Sequence, residues 1–212
     1  MGREGGLTRA AVISIVLALA TLAGCVPFFS FQSARIVPPD EAQATVSVSG
    51  FDYGPSDDDE REEWTCFDAR GRIGLGRRFD CGIGITLMWL SGDPDPGAVF
   101  GADIRYGIWR DHLAVVVPAT VILGDIQFWT LQFAPGLVAT VPLTHGWDVS
   151  VAGRRHLFAR APDAIPMWSY DVGLGIPVWN QWTIRPEVGW MFFGSTDHPY
   201  ILVGVALETP VK

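Results

Sequence analysis

Beyond its first 25 residues the chain contains no apolar run that approaches the ~18 residues of a membrane-spanning helix. The longest, Leu113 to Leu123, is interrupted by Pro118 and is rich in valine, which favours strands. A basic excess is also missing. Fifteen Lys and Arg stand against 23 Asp and Glu, a net charge of −8, which argues against nucleic acid as a partner. The acidic stretch Asp57-Asp58-Asp59-Glu60-Arg61-Glu62-Glu63 lacks the spacing and the central glycine of a calcium loop, so it reads as a solvated loop. Asp93-Pro94-Asp95-Pro96-Gly97 is explained by turn chemistry. No pattern calls for a metal or another cofactor. What the chain does have is apolar surface: 49% hydrophobic residues and a mean hydropathy of +0.25 are high for a soluble domain of this size.

The N-terminus gives an address. Arg3 and Arg9 precede an apolar run from Ala10 to Ala20, too short to span a bilayer, which reads as a secretory signal peptide. It closes on Leu22-Ala23-Gly24-Cys25, which resembles the lipobox of bacterial lipoproteins. That resemblance implies cleavage after residue 24, acylation of Cys25 and, with Val26 rather than Asp next, transfer to the outer membrane. Several acyl chains anchor a protein stably. Residues 26–41 carry Pro27, Pro38 and Pro39 without alternation and are expected to form a tether, so the lipidated N-terminal region spans 25–41.

Ten stretches then alternate apolar and polar residues, at about 42–53, 64–76, 80–90, 98–109, 112–123, 128–141, 146–157, 167–178, 182–193 and 199–208. Phe67-Asp68-Ala69-Arg70-Gly71-Arg72-Ile73-Gly74-Leu75 shows the rule, with odd positions suited to lipid and even positions carrying charge. Each stretch is close to the ~9–11 residues of a tilted membrane strand. The outward positions include Val46, Val48, Ile73, Ile83, Ile85, Ala102, Ile104, Val117, Leu137, Val151, Val172, Ile184 and Val203, and no charge appears among them. Tryptophans cluster at stretch ends. Trp64, Trp89, Trp129, Trp168 and Trp190 fall at one rim and Trp109, Trp147, Trp179 and Trp182 at the other, as two aromatic girdles. Connections alternate between short (77–79, 110–111, 142–145, 179–181) and long (54–63, 91–97, 158–166, 194–198), with 124–127 short on the long side. Pro118, Pro135 and Pro186 each remove a ladder hydrogen bond, and the neighbouring pair Pro118 and Pro135 predicts a bulge or an interruption.

In these features the chain resembles small bacterial outer-membrane β-barrel proteins over residues 42–208, as a pattern rather than a specific motif. The resemblance implies an all-β, antiparallel, up-and-down transmembrane β-barrel of ten strands, with eight as the next option, followed by a tail at 209–212. It implies outer-membrane lipid and lipopolysaccharide as surroundings, and the lipoprotein-processing and barrel-assembly machinery as transient partners.

The lumen-facing charges are Asp68, Arg70, Arg72, Asp103, Arg105, Asp148, Arg154, Asp171, Arg185 and Glu187, five of each sign. Charges removed from water must be paired. The third strand offers only Gly82, Gly84, Thr86 and Met88 to the lumen, so Arg70 or Arg72 is expected to reach across to Asp103. These residues form either an ion-paired plug, in a structural or surface-binding barrel without enzymatic activity, or the wall of a narrow polar pore. An outer-membrane hydrolase is the third reading, with His156, Asp163, Ser195, Asp197 and His198 near one rim. No motif of lipid A deacylases or omptin proteases supports it. Cys66 and Cys81 are expected to stay unpaired: with residue 76 opposite 80, Cys66 pairs near Leu90, far from Cys81 and on the opposite face.

Overall fold

In the computed structural model the alternating stretches form one closed antiparallel sheet. The structure describes residues 32–52, 63–90, 97–109, 111–123, 131–159, 167–178, 182–194 and 199–211. The strands are β1 (Ala42–Asp52), β2 (Glu63–Gly74), β3 (Phe79–Leu90), β4 (Gly97–Trp109), β5 (Leu113–Leu123), β6 (Leu131–Phe133), β7 (Gly136–Pro142), β8 (Asp148–Phe158), β9 (Met167–Pro177), β10 (Thr183–Phe193) and β11 (Tyr200–Val211). Strands adjacent in sequence pair with each other except β6 and β7, and β1 pairs with β11 from Ala42↔Val211 to Asp52↔Ile201, which closes the barrel. β6 and β7 occupy one place in the wall between β5 and β8, so the barrel has ten strands.

The break between β6 and β7 has a local chemical cause. Phe133↔Leu157 and Gly136↔Arg154 keep a single register, so no residue is inserted. Ala134 N still donates to Pro118 O at 3.1 Å and Arg155 N to Pro135 O at 3.1 Å. The reciprocal bonds would need N–H groups on Pro118 and Pro135, which proline lacks. The wall is thus interrupted rather than bulged.

β5 ends at Leu123 and β6 begins at Leu131, and the short connection expected at 124–127 lies outside the described residues. Two features differ from the sequence reading. The β2–β3 register is Gly74↔Asp80 and Cys66↔Met88, a slip of two from that expected. There Leu75 N and Gly76 N both donate to Phe79 O, which tightens the hairpin around residues 75–78. Finally, β11 runs through Val211, beyond the barrel end expected at 208.

One end of the barrel carries the connections 75–78, 110–112, 143–147 and 178–182, and is called here the turn end. The other, the loop end, carries 53–62, 91–96, 124–130, 159–166 and 194–199. Outward side chains form an apolar belt, with Val46 52% and Val203 60% exposed. Trp109 is exposed at the turn end and Trp168 and Tyr170 toward the loop end, and Trp89 packs edge-on to Phe67 at 5.3 Å. Trp129 and Trp179 lie outside the described residues, as does the side chain of Trp64. The belt carries one charge that the outward reading did not include: Arg155, of the same parity as Val149 and Val151. The inside is largely polar, with two small apolar clusters, one around Met167, Met191, Leu202 and Ala206 and one around Ala34, Ala114, Val116, Val138 and Ala152.

Candidate functional site

Every described charge assigned to the lumen from sequence lies inside, and glycines on intervening strands let these side chains meet. Arg72 on β2 stands opposite Gly82, and Gly82 stands opposite Asp103 on β4. The Arg72 guanidinium crosses the glycine to bond Asp103 with Nη2 and Asp80 with Nη1. A Cβ at position 82 would lie 3.0 Å from both Arg72 Nη2 and Asp103 Oδ2, so the crossing needs glycine. Asp80 also accepts from Arg105 Nη2 at 2.6 Å and Nε at 3.2 Å. Arg70 remains beside Asp68 on its own strand at 3.8 Å, and Asp68 accepts from Thr86 Oγ1 at 2.6 Å.

The opposite wall repeats the device. Arg185 on β10 reaches over β9 to Asp148 on β8, with Nη1 to Oδ1 at 2.7 Å. Gly175, the residue of β9 in register with Asp148, leaves that space; a Cβ there would lie 2.7 Å from the carboxyl atoms. Arg185 also meets Glu208 at 3.5 Å, and Glu208 accepts from Gln43 Nε2 on β1. Nearer the loop end Arg154 approaches Asp171 at 3.6 Å. Glu187 is buried beside this group, in register with Gly173. The structure therefore brings Arg72 to Asp103, while Arg105 bonds Asp80 and Arg185 bonds Asp148 and meets Glu208.

Gln32, Ser33, Ala34 and Val37 are buried within the turn-end lumen, with Ile36 half-buried and Arg35 exposed, where an irregular tether was expected. Their main chain is what the barrel reads. Arg105 Nη1 donates to Ser33 O, Ala34 N donates to Thr140 Oγ1 at 2.7 Å, and Val37 N donates to Asp80 Oδ2 at 2.8 Å. Arg35 lies 3.8 Å from Asp148, and Pro39 forms a parallel bridge with Gly74. Any Cβ at Gly74 would overlap the Pro38 carbonyl oxygen, and one at Gly107 would lie 2.9 Å from Ile36 Cγ1. Two barrel glycines are thus shaped to this segment. Below it a vestibule of about 1060 Å³ opens at the turn end, lined in part by Arg35, Arg77, Arg78 and His112. Above it the cavities among the ion pairs hold about 10 Å³ each, room for roughly one water.

The rim residues proposed for hydrolysis do not assemble among the described residues. Asp163, Ser195, Asp197 and His198 lie outside them, as do Cys25 and the acidic stretch 57–63. His156 is buried, with Nδ1 2.8 Å from Gln132 Nε2 and Nε2 2.8 Å from Ser169 Oγ. Thr120 Oγ1 donates to Gln132 Oε1 at 3.3 Å, which leaves the Gln132 amide as donor to Nδ1. The imidazole proton is then on Nε2 and is given to Ser169, the wrong direction for a base that would activate that hydroxyl. This is a structural hydrogen-bond chain. Cys66 and Cys81 are both free thiols, and no cluster of three or more potential metal ligands occurs among the described residues.

Asp80, Glu208 and segment 32–37 are the components that the sequence reading did not contain. Asp80 and Glu208 have the correct parity but are the end residues of the expected stretches 80–90 and 199–208, next to the turn and the tail. No protein-family model matches the chain, and no curated protein matches it in sequence. Among solved structures it is similar to an outer-membrane channel from Pseudomonas putida F1, at 8% identity over 84% of this chain and 98% of that one, with a TM-score of 0.51. A de novo designed transmembrane β-barrel matches at 10% identity over 82% and 100%, with a TM-score of 0.37. The N-terminal β-barrel domain of Pseudomonas aeruginosa OprF matches at 10% identity over 79% and 97%, with a TM-score of 0.31. The likeness is one of fold, the closed antiparallel barrel of bacterial outer-membrane proteins.

Proposed function

We propose that this chain is a lipid-anchored β-barrel of the bacterial outer membrane whose lumen is closed by its own ion pairs and N-terminal segment, with a structural or surface-binding role and no catalytic activity. The observation that carries this reading is the seating of residues 32–37 on Arg105, Asp80 and Thr140, with water-sized cavities among the ion pairs above it. An apolar outer belt around a charged interior is the inverse of a soluble barrel and suits lipid.

With the turn end toward the periplasm, the N-terminal segment enters from the side where an acylated Cys25 would lie. Seven residue steps separate Cys25 from Gln32, roughly 24 Å when extended at ~3.3–3.6 Å each, enough to run from an inner-leaflet anchor to the lumen. The same orientation exposes the loops to lipopolysaccharide. Processing of Cys25 and insertion of the barrel would engage the lipoprotein and barrel-assembly machineries.

Two measurements on the full chain test the proposal. In planar bilayers the wild type should insert, show heat-dependent gel mobility and pass no steady current. A steady ohmic conductance would replace closure by the reading of a narrow polar pore for small solutes. Acyl labelling of cells should vanish in Cys25→Ser, and persistent labelling would remove the lipid anchor from the proposal.

A further inference from the structure

Among the described side chains of the outer wall, Arg155 is the only charged one. It lies on β8, in register with Trp168 of β9, and its guanidinium carbon is 5.4 Å from the Trp168 ring centroid. Stacking on the indole fixes the side chain against the wall instead of leaving it free to bend toward water. Its surroundings are apolar and aromatic. Tyr170 lies across Gly153, where a Cβ would come within 3.3 Å of the ring, and Phe192 stands edge-on to Tyr170 at 6.1 Å. Phe133 and Leu157 are exposed on the same face. No carboxylate among the described residues forms an ion pair with Arg155.

A guanidinium is charged at any physiological pH and offers five donors in a rigid fork. Set in an aromatic belt at the loop end, it is at the depth of lipid headgroups. The Trp168 face occupies one side of the guanidinium and supplies no acceptor. No acceptor for the fork stands among the described residues, and the group outside the protein that matches it in charge and geometry at that depth is phosphate.

We infer that Arg155, backed by Trp168, binds the phosphate of a phosphoglycolipid in the leaflet at the loop end, with Tyr170 and Phe133 flanking the lipid's apolar part. This rests on the proposed outer-membrane placement and adds a defined lipid site to it. Arg155 holds the phosphate and Trp168 is a positioning residue that orients the guanidinium.

The test uses the full-length protein in a zwitterionic detergent, mixed separately with rough lipopolysaccharide and with phosphatidylglycerol, and native mass spectrometry to count retained lipid. The wild type should retain lipopolysaccharide, Arg155→Gln should reduce that at least fivefold, and Arg155→Lys should be intermediate because it keeps charge without the fork. All variants should keep heat-dependent gel mobility, which separates loss of the site from loss of the fold. Equal retention by Arg155→Gln and wild type overturns the inference, and Arg155-dependent retention of phosphatidylglycerol alone overturns the choice of phosphoglycolipid. Failure of the wild type to insert into liposomes would instead remove the membrane placement on which the site depends.

Discussion

Replacing Asp80 by Ala is the sharpest perturbation of the closed lumen. The carboxylate is fully buried and receives Arg72, Arg105 and the Val37 N–H together. Without it Arg72 keeps Asp103, whereas Arg105 is left with the Ser33 carbonyl as acceptor. An ion stranded in a dry interior destabilises by about 3–5 kcal/mol. Asp80→Asn retains an acceptor for Val37 N–H and should lose about 1–3 kcal/mol less, the penalty for an unsatisfied buried donor. Adding Arg105→Met to Asp80→Ala removes the stranded charge and should recover most of the loss, since a buried pair exchanged for apolar groups is often neutral. Urea unfolding from matched lipid vesicles, followed by tryptophan fluorescence, measures all three. A loss under about 1 kcal/mol for Asp80→Ala would mean that water screens the pair, as at an exposed site, and would refute the dry, closed lumen.

Gly74→Val should expel the N-terminal segment, because any Cβ there overlaps the Pro38 carbonyl; a cysteine placed at Val37 should then react with a maleimide at least tenfold faster, and unchanged protection would refute the seat. Gly82→Ala should force Arg72 and Asp103 apart and destabilise by about 1–3 kcal/mol, as overpacking does, with an unchanged urea midpoint counting against the crossing. Cys66 and Cys81 lie on opposite faces, seven ladder positions apart and so roughly 23 Å along the strands. Two thiols should alkylate only after unfolding, and a mass gain of two hydrogens on reduction of the monomer would contradict the register.

The faces of the wall were legible in the sequence because a strand has a period of two. The β2–β3 hairpin shows how robust that signal is. Its expected register was displaced by two residues, yet a slip of two returns every side chain to the same face, whereas a slip of one would have reversed them all. Arg72 was therefore placed inside, with Asp103 across Gly82, although its second partner, Asp80, was read as the first residue beyond a turn. Glu208 was missed for the same reason at the other end of the chain, as the last residue of its stretch beside the tail expected at 209–212. Pro118 and Pro135 announced their interruption directly, since the chemistry of a missing N–H is local. The N-terminal segment was illegible in another way. Its hydrogen bonds to the barrel are made by Ser33 O, Ala34 N and Val37 N, and main-chain groups leave no mark on residue choice. The only sequence trace of the seat is on the barrel, at Gly74 and Gly107.

Those glycines point to why the N-terminal segment is inside at all. An interior just filled by side chains belongs to barrels of about eight strands, so ten strands enclose more space than wall residues ordinarily occupy. Here long side chains cross glycine positions, as Arg72 crosses Gly82 and Arg185 reaches past Gly175, and their carboxylate partners lie two strands away. This bridging fills the middle of the barrel. At the turn end, the small side chains of Ala114, Val116, Val138 and Ala152 leave a gap that no charge spans, and Ala34 packs into it. Arg105 and Asp80 then have spare donors and acceptors facing the gap, and a segment of main chain satisfies both signs at once. In the proposed closed barrel, shutting the lumen and holding the N-terminus are consequently one interaction. Displacing the segment exposes buried charge, and neutralising that charge releases the segment.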